Sequence, residues 1–102
     1  MKTIVSKIEG DFTVAEDIVL QGMVTGNITV ARGGSLNLQG LCCKSLFVES
    51  GGDATIRGTV NADVVNRGGT VTIHDIVNGA VREESGETHI AAGAVVHNRS
   101  KA

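Results

Sequence analysis

The chain has no proline, no tryptophan and no tyrosine, and its 102 residues include only two phenylalanines, Phe12 and Phe47. Globular cores of this size usually contain more aromatic side chains, because each ring buries a large area. The absence of proline excludes a proline-rich linker or tail. What the chain does have is 41% hydrophobic residues and 14 glycines. This composition indicates a narrow, regular interior filled by valine, isoleucine and leucine.

The chain also lacks a marked excess of charge of either sign. Nine Lys+Arg against eleven Asp+Glu give a formal net charge of −2, which offers no basic patch for a nucleic acid or an anionic membrane. The N-terminal residues lack the apolar run of a signal peptide, and no segment is long and apolar enough to span a bilayer. We therefore expect a cytoplasmic protein with no nucleic-acid partner.

Glycine pairs recur at a nearly fixed interval. Gly33-Gly34, Gly51-Gly52 and Gly68-Gly69 are followed by Ser85-Gly86, at steps of 18, 17 and 17 residues. A fixed period of this kind is the signature of a repeat architecture. If each pair ends a coil, coils 1 to 5 are residues 17–34, 35–52, 53–69, 70–86 and 87–98. Residues 8–16 match the second half of coil 1 and form a half coil in front of it.

The aligned coils agree position by position. Hydrophobic residues occupy the second, fourth, eighth and twelfth positions of coils 1 to 4, and mostly polar residues lie between them; in coil 5 the second position is Thr88. The fourth position holds Leu20, Leu38, Ile56, Ile73 and Ile90. Alternation within short segments indicates strands, and agreement at a fixed period places each strand over its counterpart in the next coil.

These patterns predict an all-β fold. The period is too short for the helix of a βαβ crossover, so the strands have to stack as a parallel β-helix, or β-solenoid, of about five coils of 17–18 residues. We expect one solenoid domain at residues 8–98, an N-terminal segment at residues 1–7 and a C-terminal tail at residues 99–102.

The glycines mark the predicted corners of the coils. We expect the glycine pairs, and Gly22, Gly40 and Gly58 in the sixth position, to turn the chain by adopting positive φ. A phosphate-binding loop is the alternative interpretation of adjacent glycines, but such a loop occurs once and leads into a helix. Recurrence in every coil favours corners.

Short phrases that combine glycine with a hydrophobic residue, and in places with Asp or Asn, recur along the chain. They are Gly10-Asp11-Phe12, Leu20-Gln21-Gly22, Gly26-Asn27-Ile28, Ile56-Arg57-Gly58, Asn78-Gly79-Ala80 and the closing stretch from Ile90 to Ala94. Over roughly residues 8–98 this pattern resembles the bactofilins, a family of polymer-forming bacterial cytoskeletal proteins. The chain departs from that family in its short flanking segments and its regular glycine pairs.

The resemblance to bactofilins implies a right-handed parallel β-helix that assembles head to tail without nucleotide. In some members of that family a short N-terminal segment binds the membrane, so a location at the inner face of the membrane is left open.

A solenoid leaves strand edges and apolar side chains uncovered at both ends unless a cap covers them. The sequence offers little that is typical of a cap. We therefore expect the protein to associate with itself through residues of its first and last rungs. These residues are Ile4, Val5, Ile8, Ile90, Val95 and Val96.

Candidate catalytic and metal-binding residues give no enzyme signal. His74 and His89 fall at outward positions without a third ligand nearby. Cys42 falls in the inward eighth position, and Cys43 points outward beside Lys44 with no His or carboxylate placed to form a catalytic pair. An acyltransferase of the hexapeptide type would need an active-site His and long loops. We expect reduced thiols, no cofactor, no metal and no enzymatic activity.

One outward position departs from the polar pattern. Thr29, Phe47, Val65 and Arg82 share the thirteenth position, and Phe47 and Val65 are predicted to form a small exposed apolar patch for a partner. Two functions are therefore open. The first is a structural protein that self-associates end to end, and the second is a protein-binding solenoid, such as an immunity or antitoxin-type inhibitor of a toxin.

Overall fold

The regular structure of this protein is entirely β. A computed structural model describes the backbone of residues 2–101 and the side chains of residues 2–96. That part of the chain contains no helix, and its strands form one fourteen-stranded sheet. The strands are β1 (Lys2–Ile4), β2 (Lys7–Ile8), β3 (Phe12–Val14), β4 (Asp17–Leu20), β5 (Met23–Val24), β6 (Ile28–Val30), β7 (Ser35–Leu38), β8 (Leu41–Cys42), β9 (Leu46–Val48), β10 (Asp53–Ile56), β11 (Thr59–Val60), β12 (Val64–Ile73), β13 (Ile76–Ile90) and β14 (Val95–Lys101).

The strands stack in parallel on three faces of a β-solenoid of about five turns. The first face consists of β1, β4, β7 and β10, followed by the last residues of β12 and β13. The second face consists of β2, β5, β8 and β11, followed by the first residues of β13 and β14. The third face starts with β3, β6 and β9 and continues into the beginning of β12. The predicted fold class is confirmed.

Pairing follows the predicted coil alignment residue by residue. Ile18 pairs with Leu36, Leu36 with Ala54, and Ala54 with Val71. The inward columns therefore form continuous ladders of aliphatic side chains along the axis. Leu20, Leu38, Ile56 and Ile73 of the fourth column are all 0% exposed. Burial of each such side chain contributes roughly 1.5–3 kcal/mol, so the core is a stack of nearly equivalent layers.

The solenoid begins earlier than the sequence predicted. Lys2–Ile4 and Lys7–Ile8 are strands that pair with coil 1. Residues 2–7, which were expected to form a separate N-terminal segment, therefore belong to the solenoid. At the other end, the strand Val95–Lys101 continues past residue 98. A strand forms in front of coil 1 because Thr3 and Ile4 continue the alternation of outward and inward side chains seen on the first face. We call residues 2–16 the first turn.

The glycines serve two purposes rather than one. Gly33 and Gly51, the first members of their pairs, have φ of 83° and turn the corner as predicted. The prediction of positive φ is wrong for Gly22, Gly40 and Gly58 of the sixth column. A Cβ on Gly40 would overlap the carbonyl oxygen of Gly22, and one on Gly58 would overlap that of Gly40. These glycines are needed because neighbouring coils approach too closely for a side chain.

Candidate functional site

The front end of the solenoid presents uncovered apolar side chains. Ile4, Ile8 and Phe12 belong to the strands β1, β2 and β3, and each is only partly buried against the core. Each of these strands pairs on one side alone, with coil 1. Their other edges carry unpaired backbone N–H and C=O groups, which are a template for pairing with another chain.

The back end presents a similar apolar rung on two of its three faces. Ile90 and Val96 are partly buried and pack against the core. They continue the ladders of Ile73 and Val77, with which they are in register. The predicted end residues Ile4, Ile8, Ile90 and Val96 thus all lie on the first or last rung.

The remaining two predicted end residues lie at the rims of these rungs. Val5 is 71% exposed and Val95 is 58% exposed, and they are the large hydrophobic side chains that stand out as exposed in the described part of the chain. Val5 follows β1 at a corner of the first turn, whereas Val95 begins β14 in coil 5. Each end therefore carries one exposed valine beside its apolar rung.

The predicted lateral patch is not an exposed apolar surface. Phe47 and Val65 are neighbours in the stack, as expected, but Val65 is only 6% exposed. Phe47 is partly covered, because the guanidinium of Arg67 lies 5.0 Å from the centre of its ring. The same guanidinium is 3.3 Å from a carboxylate oxygen of Glu49. A cation over an aromatic face is favourable, so this cluster is satisfied within the chain.

A different outward column is apolar. Met23, Leu41, Thr59, Ile76 and Val95 stack in register along the second face, and the first four are partly exposed. The sequence carried this signal at the seventh position of coils 1, 2 and 4. It was overlooked because the strands of this face have only two residues in most coils, too few to display alternation.

A polar ladder joins successive coils at the corner before the third face. The side-chain oxygens of Asp11, Asn27, Ser45 and Asp63 accept hydrogen bonds from backbone N–H groups one coil further on. The bonds are Asn27 N–H to Asp11 at 2.8 Å, Ser45 N–H to Asn27 at 3.0 Å, Asp63 N–H to Ser45 at 3.3 Å and Ala80 N–H to Asp63 at 2.8 Å. The ladder satisfies corner N–H groups that no strand pairing reaches. Its function is structural.

One buried polar residue replaces a valine of the core. Asn66 is 0% exposed, and its side-chain oxygen accepts hydrogen bonds from the N–H groups of Gly68 at 3.1 Å and Gly69 at 2.9 Å. Its side-chain nitrogen lies 3.1 Å from the carbonyl oxygen of Gly69, 2.8 Å from that of Glu87 and 3.1 Å from Oγ1 of Thr88. The amide group therefore holds together a corner of coil 3.

The cysteines and histidines whose side chains the structure describes form no reactive cluster. Cys42 is buried, and burial raises the pKa of its thiol from the ordinary value of 9.0 to about 11, which makes it a poor nucleophile. Both cysteines are free thiols. The imidazole of His89 is 3.5 Å from the carboxylate of the exposed Glu87. Among the described residues, no group of three or more His, Cys, Asp or Glu side chains is placed to hold a metal ion.

The chain matches no protein-family model, no curated protein and no solved structure. In residues 2–101, no helix has the length and hydropathy needed to cross a membrane. The ends of the solenoid are thus the candidate functional site, on the grounds of their geometry.

Proposed function

We propose that this protein is a non-catalytic structural protein that self-associates through the ends of its solenoid. The observation that carries the proposal is the front rung, where Ile4, Ile8 and Phe12 lie on unpaired strand edges without a covering segment in the described chain. A second copy would bury these side chains and pair these edges at once. Both effects favour association.

The resemblance to bactofilins supports the same proposal. Under this proposal the protein works in the cytoplasm as a scaffold and needs no nucleotide. The polar ladder from Asp11 to Ala80 also supports a structural role. Asp11, Asn27 and Ala80 belong to the glycine-containing phrases on which the resemblance rests, and through the ladder these phrases connect neighbouring coils. A rigid rod of stacked coils is a suitable unit for assembly by its ends.

The sequence left a second function open, a lateral protein-binding module. The observation that motivated it does not hold in the structure. That hypothesis rested on an exposed patch at Phe47 and Val65, and Val65 is buried while Arg67 covers Phe47. We therefore carry only the structural proposal further.

The test is the mass of the purified protein in solution, measured by light scattering over a wide concentration range without nucleotide, together with negative-stain electron microscopy. We expect species heavier than the 10.5 kDa chain, with a fraction that grows with concentration. A Phe47→Asp variant serves as a lateral control and should associate like the parent protein. A protein that stays monomeric at every concentration would overturn the proposal.

A further inference from the structure

The second face differs from the other two in its outer surface. Its seventh column runs from Met23 to Val95 and is apolar apart from Thr59. The ninth column beside it is polar but uncharged in coils 1 to 4, where it holds Thr25, Cys43, Asn61 and Asn78. A partner can therefore cover the middle of this face without removing a charge from water, which would be costly.

The outer surfaces of the other two faces are charged. On the first face, Asp17, Asp53 and Glu87 lie in one column, at the first position of their coils. On the third face, the Arg67 guanidinium is paired with the Glu49 carboxylate. In the described part of the chain, the second face is thus the one suited to close apolar contact.

Small residues border the seventh column. The sixth position is Gly22, Gly40 and Gly58 in coils 1 to 3, where the stacking of the coils leaves no room for a Cβ. Beyond these glycines, the side-chain amides of Gln21 and Gln39 are hydrogen-bonded to each other at 3.1 Å. No side chain stands between the apolar column and that corner in these coils, so a second flat face can approach to the spacing of about 10 Å that is usual for packed sheets.

Exposed apolar and charged residues lie at the two ends of this face. Val5, at the corner that leads into the face, is 71% exposed, and Val95, at the far end of the seventh column, is 58% exposed. Lys7 occupies the seventh position of the first turn. Asp75 is exposed at the corner directly before Ile76 of coil 4. The face thus carries a cation at its front and a carboxylate near its back.

We infer that the second faces of two copies of this chain pack against each other in opposite directions, related by a twofold axis that lies across the two faces. Coil 2 of each copy lies over coil 3 of the other, coil 1 over coil 4, and the first turn over coil 5. Met23 then meets Ile76 of the second copy, and Leu41 meets Thr59. Such an interface is isologous and closes at two copies. It uses a surface separate from the ends and does not rest on the proposed function.

The charges at the ends of the face favour the opposite direction over the same direction. In the opposite direction, Lys7 of one copy lies over Val95 of the other, one rung of about 4.8 Å from Asp75. The partner of Lys7 in its own chain is Glu9 at 3.8 Å, an exposed pair of the weak kind. In the same direction, Lys7 would instead face Lys7 of the second copy, and like charges directly opposite each other are unfavourable.

The exposed valines favour the same choice. In the opposite direction, Val5 of one copy meets corner 91–94 of the other, which consists of three alanines and a glycine. In the same direction, Val5 would meet Glu9. The opposite direction therefore covers apolar surface at both ends of the face as well as in its middle.

The contact area sets the strength of the dimer. The molecule measures 32 × 24 × 23 Å, so one face offers less than the roughly 800 Å² per partner that stable interfaces bury. We therefore expect a reversible dimer whose population rises with protein concentration.

Cys43 reports this contact directly. Its thiol is free and partly exposed, whereas Cys42 is buried. In the inferred dimer the two Cys43 residues lie one rung, about 4.8 Å, apart along the solenoid axis. Contacts between solenoid ends would keep them at least five rungs, about 24 Å, apart. A short bismaleimide should therefore join two chains of the unmodified protein through Cys43, giving a covalent dimer on a denaturing gel.

A matched control moves the thiol to the first face. Cys43→Ser combined with Thr55→Cys places one partly exposed thiol at an outward position of β10, and we expect at least tenfold less covalent dimer. Leu41→Asp, which puts a charge in the middle of the second face, should reduce cross-linking through Cys43 at least tenfold. Phe47→Asp puts the same charge on the third face and should leave it within about twofold. Equal cross-linking from the two thiol positions, or no effect of Leu41→Asp, would overturn the inference.

A charge exchange tests the direction of packing. Lys7→Glu and Asp75→Lys each oppose like charges across the contact, so each should raise the dimer Kd at least fivefold in sedimentation equilibrium. The double variant restores opposite charges and should return to within about twofold of the parent Kd. Packing in the same direction would leave like charges opposed in the double variant. A double variant as weak as either single variant would therefore contradict the inferred geometry.

The outcomes separate this inference from the proposed function. A monomer at every concentration that gives no cross-link overturns both. Heavier species in solution without cross-linking through Cys43 overturn the lateral contact and leave end-to-end association standing. A cross-linked dimer that never grows beyond two copies and is abolished by Leu41→Asp supports the lateral contact and counts against association through the ends.

Discussion

At the scale of single residues, Asn66 shows how one side chain permits an irregular coil. The corresponding inward residues of the preceding turns are Val14, Val30 and Val48, each 0% exposed. Coil 3 is one residue shorter than coil 2, and the register shifts beside Asn66 and Arg67. A shorter corner leaves backbone groups without partners in the next coil. The Asn66 amide supplies those partners from inside.

We predict that Asn66→Val destabilises the protein although it restores the valine column. The N–H groups of Gly68 and Gly69 would lose their acceptor in a buried corner, and each buried unpaired group costs about 1–3 kcal/mol. The free energy of unfolding, measured in urea, should fall by about 3 kcal/mol. The exposed Asn61→Val is the control and should cost less than about 0.5 kcal/mol. Equal losses would show that the Asn66 amide has no special role.

Cys42 gives the protein a pH dependence in the alkaline range. Its thiol is neutral in the folded state because burial raises its pKa to about 11, whereas the unfolded chain ionises at the ordinary value of 9.0. The unfolded state therefore binds fewer protons than the folded state between these two values. Stability is fully present below pH 9 and is lost as the pH rises towards 11.

We predict a loss of about 2–3 kcal/mol in the free energy of unfolding between pH 8.5 and pH 11 that depends on Cys42. Urea unfolding at several pH values measures it. Cys42→Val, which matches Val24 and Val60 of the same column, should remove this part of the pH dependence. Should the variant and the parent protein lose stability in parallel, the buried thiol is not the cause.

How much the sequence predicts at this scale depends on whether a residue repeats. The fourth-column residues and Cys42 were placed inside correctly because each has counterparts one coil away. Asn66 was missed, because its role follows from a shortened corner and from partners at Glu87 and Thr88 in the next coil. No local sequence pattern predicts a hydrogen bond between a side chain and a residue of the next coil at a shortened corner.

At the scale of elements, the stacking of the coils determines why glycine is required at each corner. Gly33 has positive φ, and a Cβ there would meet nothing within 4 Å. Gly40 lacks positive φ, and a Cβ there would meet the backbone of Gln21 and Gly22. The sequence predicts glycine at both kinds of corner but cannot tell a conformational requirement from a close approach, because the residue is the same.

We predict that alanine substitution separates the two cases. Gly33→Ala should cost about 1–2 kcal/mol, the strain of a left-handed residue with free space around it. Gly40→Ala should cost about 3 kcal/mol or more, because the obstacle is backbone and two coils have to move apart. Thermal or urea unfolding of the two variants gives the comparison. A larger loss for Gly33→Ala would mean that the close stacking at Gly40 is easily relaxed.

At the scale of the whole molecule, the ends are where repetition stops. Ile4, Ile8, Ile90 and Val96 could be assigned to the end rungs from the sequence, because they extend columns that run through every coil. The exact start of the last strand could not. Five positions separate Ile90 from Val95, whereas three separate the equivalent Ile73 and Ile76, so simple counting misaligns the last strand.

A repeat structure of this kind draws its stability from contacts between neighbouring coils, so equal substitutions should cost less at an end than in the middle. We predict that Ile73→Ala, in a layer that is 0% exposed, lowers the free energy of unfolding by about 3–4 kcal/mol. Ile90→Ala, one coil further along the same column and only partly buried, should lower it by about 1–2 kcal/mol. Urea unfolding at one low protein concentration provides the measurement, with the exposed Thr3→Ala as a control for mutation at a solvent-facing position. Equal losses at positions 73 and 90 would mean that the back rung is covered in solution.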